Sequence, residues 1–179
     1  MKNMDELYDL KRRLEEERPA AWNELPDIAL YMDQVISYLP RQRIHFNDRE
    51  NMTSAMVNNY IKDGLLPRAD GKRYSRTHLG YLTAISALKQ VLSVKEMAAL
   101  IQDGEEGVEV TRLYEVFQEE LDGALKDTAG RIDPEIEGQA LARLGLSLAL
   151  RSYADRLACQ RIIELLTPPE QEKKKKEKK

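Results

Sequence analysis

Cysteine is almost missing from these 179 residues: Cys159 stands alone. No internal disulfide can form, and a lone thiol suits a compartment where thiols stay reduced. Aromatics are sparse at 6%, and runs of β-branched residues are scarce, so the composition suits a helical protein. No apolar stretch approaches the ~20 residues that span a bilayer. The opening residues, MKNMDELYDLKRRLEEERP, are charged throughout and lack the apolar centre of a signal peptide. Together these absences predict a cytoplasmic protein. Catalytic signatures are missing too. His45 and His78 fall in different segments, with no cysteine or carboxylate at metal-ligand spacing around them. There is no Gly-rich phosphate loop and no Gly-x-Ser-x-Gly elbow. The expectation is therefore no enzyme, no metal and no cofactor.

What is present is charge, at 33% of the chain, and its placement is uneven. The net charge is -3, yet residues 41–95 carry ten Lys/Arg against four Asp/Glu. A basic segment inside an acidic chain can still meet nucleic acid, because phosphate attraction is local at physiological salt.

Helical spacing dominates the pattern. Residues 4–18 place Leu7, Leu10 and Leu14 on one face, and Pro19 follows. Trp22, Leu25 and Pro26 form a connector, with Trp22 covering part of the core. A helix from Ile28 to Leu39, capped by Asp27, would bury Ile28, Met32, Val35, Ile36 and Leu39. Residues 40–52 carry breakers and predict a loop. Thr53 is an N-cap for the next helix, to Asp63. At 100° per residue, Ser54, Ala55, Asn58, Asn59 and Lys62 share one arc, and Met56, Val57, Tyr60 and Ile61 the other. Gly64 suits the C′ position and Pro67 prevents continuation. Asp70-Gly71, between Arg68 and Lys72-Arg73, signals a basic hairpin turn. Ser75 or Thr77 can cap a helix to about Val91, with Leu79, Leu82, Ile85 and Leu88 inward. Ser93 and Glu96 form a capping box for a helix that buries Val94, Met97, Leu100 and Ile101.

Asp103–Gly107 is a linker signal. A two-helix unit is expected beyond it. Its first helix, 108–126, would turn Leu113, Val116, Phe117, Leu121 and Ala124 inward. Its second starts at Asp133-Pro134, with proline at the first helical position, and could reach Leu166. There Gly138, Ala142, Gly145, Ala149 and Ser152 make a row of small residues flanked by Leu141, Leu144 and Leu148. Such rows favour close helix approach, within or between subunits. The tail EQEKKKKEKK has nothing to bury and is expected to be disordered. The predicted organisation is an N-terminal helix and connector (1–25), a winged helix-turn-helix domain (26–104), a C-terminal two-helix unit forming a helical hairpin (108–166) and a disordered basic tail (167–179).

Helix, Gly-Leu-Leu-Pro stop, basic turn and two further helices follow the order of a winged helix-turn-helix. Asn58 and Asn59 can bond adenine edges in the major groove; Thr53, Ser54 and Lys62 can take phosphates or base edges. Arg68, Lys72 and Arg73 would straddle the backbone, with the Tyr74 ring inward and its hydroxyl toward a phosphate. The alternative for each is bland: a solvated amphipathic helix, an exposed turn, a solubilising tail, and core packing for Cys159.

Two resemblances sharpen this. Asn58-Asn59-Tyr60, Gly64-Leu65-Leu66-Pro67, Gly71-Lys72-Arg73-Tyr74 and Ser93-Val94-Lys95-Glu96-Met97 resemble, in order, the motifs of the MerR-type winged helix-turn-helix. Asn58 stands where that family has arginine, and Val91 where it has glycine. Residues 24–103 more closely resemble a bacterial family of unknown function, domain family 1836. Leu30-Tyr31-Met32-Asp33-Gln34-Val35, Met52-Thr53 through Tyr60, Lys72-Arg73-Tyr74-Ser75 and Leu88 to Ser93 look like its motifs. The resemblance implies an all-α MerR-like fold with a small β-hairpin wing. The MerR-type resemblance implies a transcriptional regulator that binds double-stranded DNA, whereas the closer family resemblance implies a fold without a function, its members being presumed DNA-binding. Homodimerisation through the C-terminal helices is the accompanying expectation. An adaptor using the same scaffold for protein partners is the rival reading.

Overall fold

The structure is a computed structural model that describes residues 2–44, 51–102 and 110–167. Among them run α1 (Lys2–Glu16), α2 (Met32–Tyr38), α3 (Ser54–Lys62), α4 (Arg76–Leu88), α5 (Val94–Gln102), α6 (Val110–Ala129) and α7 (Gly138–Leu166). Short 3-10 turns cover Trp22–Glu24 and Leu39–Gln42. The fold is all-α. His45, the linker signal at 103–107 and nearly all of the tail lie outside the described residues.

The central element is α4. Its Leu79, Leu82 and Ile85 are fully buried, and His78, Gly80, Thr83, Ala84 and Ser86 are buried as well. One side of α4 joins Leu30, Val35, Leu39, Met52, Val57, Tyr60, Leu65, Leu66, Tyr74, Leu92 and Met97 in the main core. The other side meets α6 and the Trp22 turn. A Cβ on Gly80 would lie 2.8 Å from the Trp22 ring, so only glycine lets that ring sit against the helix. Tyr114 locks this second layer. It is 2% exposed, its ring centroid is 5.7 Å from that of Trp22, and its hydroxyl donates to Ala20 O at 2.8 Å.

Sequence periodicity placed only part of the inward face of α6. Leu113, Phe117 and Leu121 are half-buried, but Val116 and Ala124 are exposed, and the anchor is Tyr114. The chief neighbours of α6 are α1 and α4, whereas α7 packs on α5. Arg18 ties α1 to α6 by donating from Nε to Asp122 at 2.7 Å, while its Nη1 caps the Leu14 and Glu17 carbonyls.

Three other expectations need correction. No strand forms among the described residues, so the β-hairpin wing is absent as such; only isolated bridges join Leu30 to Tyr74 and Asp70 to Arg73. The arms are too short, because Pro67 offers no N–H before the turn and Ser75 already caps α4 after it. The second helix starts at Met32 rather than Ile28. Leu30 exchanges both backbone hydrogen bonds with Tyr74, at 2.9 and 2.8 Å, which holds it extended and leaves Ile28 67% exposed. Finally, α7 begins at Gly138, not after Asp133. The Asp133 carboxylate accepts from Glu135 N, and Gly138 sits at φ +56°, which breaks the helical path upstream.

Candidate nucleic-acid interface

Local chemistry fixes α3 at both ends. Thr53 Oγ1 accepts from Met56 N at 3.3 Å. At the far end, Leu65 N donates to Tyr60 O at 2.9 Å and Gly64 N to Ile61 O at 3.2 Å, with Gly64 at φ +77°. This double bond pattern is a Schellman motif. It turns Leu65 and Leu66 into the core, both 2% exposed, and so fixes the roll of α3. Val57 and Tyr60 are buried, Met56 and Ile61 half-buried, and Ser54, Ala55, Asn58, Asn59 and Lys62 exposed. The two arcs separated by periodicity are the two faces of the folded helix. Thr53 is exposed beside its own cap.

The basic turn is held from beneath. Arg73 N donates to Asp70 O at 2.8 Å and Asp70 N to Arg73 O at 3.2 Å. Gly71 and Lys72 occupy the tip with φ of +53° and +65°. Positive φ at both central positions matches the right-handed twist of the two arms. Arg68, Lys72 and Arg73 are exposed, and Lys62, Arg68 and Lys72 form no ion pair among the described residues. Arg73 is already engaged. Its guanidinium lies 5.0 Å from the Tyr31 ring centroid and donates to the Tyr31 hydroxyl at 2.9 Å. Tyr74 is 5% exposed, so its ring supports the turn from the core side. Burial pushes its hydroxyl pKa up.

Sequence reasoning missed two supports of this surface. Tyr31, half exposed just ahead of α2, carries no periodic signal that would single it out. His78, notable in the sequence only for lacking metal-ligand neighbours, has a double role that was not legible. Its Nδ1 accepts from Ser75 N at 3.0 Å, and its Nε2 meets Arg68 O at 3.3 Å. The geometry fits a neutral ring protonated on Nε2. Burial lowers the pKa of His78 against the raising effect of the Arg68 and Pro67 carbonyls. Tyr74 packs edge-on against the same ring, with centroids 5.4 Å apart. One imidazole thus links the start of α4, the approach to the turn and the turn's own aromatic base.

Residues 20–117, containing all of this geometry, match the family described as Domain of unknown function (DUF1836). The chain belongs to the DUF1836 family. The matched segment begins at the Trp22 connector and ends within α6, so α3, the basic turn and α4 lie inside it and α7 lies outside. Neither a curated protein nor a solved structure matches the chain. No helix among the described residues is long and apolar enough to cross a membrane.

Proposed function

We propose that this DUF1836 protein binds double-stranded DNA and acts as a transcriptional regulator. In this reading α3 is the recognition helix of a MerR-like helix-turn-helix, and the turn at 68–74 is a wing reduced to its tip. The observation that carries the proposal is the exposed face of α3. Ser54, Asn58, Asn59 and Lys62 face solvent on a helix whose opposite face is locked in the core. Lys62, Arg68 and Lys72, without an ion pair among the described residues, accompany it on a short stretch of chain. A nine-residue helix is about 14 Å long, and the major groove is about 12 Å wide. Asn58 and Asn59 offer amide donor–acceptor pairs that match adenine N6 and N7. The basic side chains supply phosphate contacts that position the helix without reading sequence.

Fluorescence anisotropy with mixed-sequence duplex at about 50 mM salt tests this directly, because phosphate contacts are strong there. The proposal fails if no binding is seen. Lys72→Ala with Arg73→Ala should weaken binding on every sequence and reduce the log–log salt slope by about 2. Asn58→Ala should instead change which sequence is preferred, by about 1–3 kcal/mol at the affected base pair. Equal losses on all duplexes from Asn58→Ala would remove α3 from the reading role.

A further inference from the structure

Most of the large apolar side chains left exposed by the described residues belong to α7. Leu146, Leu150, Tyr153 and Leu157 are 60, 57, 62 and 49% exposed. Their spacings of four, three and four put them on one narrow stripe. The stripe continues with Arg143 toward the helix start and with Gln160 and Glu164 toward its end, all exposed and at the same alternating spacing. A different side of α7 is occupied within the chain. Ile163 is buried in the core, Cys159 packs against it, and Arg156 donates to both carboxylate oxygens of Glu96 on α5 at 2.8 and 3.0 Å. The helix is anchored by its C-terminal half and leaves a seven-position seam uncovered by any described residue.

We propose that this seam pairs with the same seam of a second copy of the chain, antiparallel, with the two-fold axis close to Tyr153. Three features favour a second copy. The seam reads Arg143, Leu146, Leu150, Tyr153, Leu157, Gln160, Glu164, with opposite charges at opposite ends. Reversal brings Arg143 against Glu164 of the second copy, Leu150 against Leu157, and Tyr153 against its own counterpart. Glu164 accepts from Arg161 through one oxygen, which leaves the other to receive Arg143. A parallel pair would stack arginine on arginine and glutamate on glutamate, which is unfavourable. The flanks are short as well: Ala142, Ser147, Ala149 and Ala154 are exposed and small. A Cβ on Gly145 would meet nothing within 4 Å, so the row of small residues is not used for close packing inside the chain. Finally, the seam runs for 21 residue steps, roughly 32 Å of helix, long enough for two complete turns of apolar layers to interlock.

The pairing is independent of whether DNA is bound, and it is tested on the full chain without DNA. Sedimentation equilibrium should show a dimer. Leu150→Asp and Leu157→Asp should each weaken it by about 30-fold or more, with far-UV helix content unchanged because both residues are exposed in the single chain. On a Cys159→Ser background, Tyr153→Cys should cross-link to itself under mild oxidation. Arg143→Cys should cross-link with Glu164→Cys when the two variants are mixed, and not with itself. A chain that stays monomeric at high concentration overturns the proposal, as does a dimer indifferent to both leucine substitutions. Self-cross-linking of Arg143→Cys overturns the antiparallel arrangement.

Discussion

Residues 52–101 and the helix at 138–166 are both amphipathic, yet they spend their apolar faces in opposite ways. In the first region Val57, Tyr60, Leu65, Leu66, Leu79, Leu82 and Ile85 are covered on all sides, and the exposed face is polar and basic. In the second, Ile163 alone is buried, and leucines face solvent along five turns. The contrast teaches that periodicity identifies a helix and its apolar side but not what covers that side. Where the chain itself supplies the cover, the polar face is left free for a ligand. Where it does not, the apolar face is left in solvent in the single chain.

The largest expected difference lies in side-chain truncation. Leu82→Ala should cost about 2–5 kcal/mol in urea unfolding, because Leu82 is fully buried in the main core. Leu150→Ala, measured dilute enough for a single chain, should fall within about 0.5 kcal/mol of the parent. Equal costs under dilute conditions would mean that α7 is covered by its own chain, and the contrast between the regions would collapse.

How much of this was legible beforehand follows the same division. The faces of α3, its Thr53 cap, the Gly64 stop and the Ser93–Glu96 box were all readable, because each depends on residues within four positions of one another. The start of α2 was not, since it is set by Leu30 pairing with Tyr74, 44 residues along the chain. The anchoring role of Tyr114 was hidden for the same reason: its partners, Trp22 and Ala20, are over 90 residues away. The candidate contact residues stood out as exposed polar and basic types. Tyr31 meets Arg73 and His78 reaches Arg68 O through contacts beyond any local capping pattern.

Lowering the pH should separate the two regions. Burial depresses the pKa of His78, so the unfolded chain takes up the proton first. The stability it carries is complete above about pH 6.5 and is lost as pH falls through the lowered folded value. That loss belongs to the region around the turn. Glu96 behaves at lower pH. The Ser93 backbone N–H, then the Ser93 hydroxyl and Arg156, bring its pKa from 4.5 to about 2. Its contribution is present above about pH 4.5 and disappears toward pH 2. Because Arg156 is on α7, Glu96→Gln should loosen α7 and flatten the acid limb below pH 4.5, leaving the His78 step intact. Hydrogen exchange of α7 amides at pH 3.5 and 5.5 would read this out, and loss of both steps together would show that the regions are coupled.

The smallest effect is expected at Lys72, and it has two signs. Lys72 sits at φ +65°, a conformation that costs a residue with a Cβ about 1 kcal/mol. Asparagine tolerates this region far better, so Lys72→Asn should stabilise the fold by about 0.5 kcal/mol while removing a cation from the tip of the turn. If the turn is merely solvated, stability rises and nothing else changes. If the turn meets phosphate, the same variant gains stability and loses DNA affinity, with the salt slope falling by about 1.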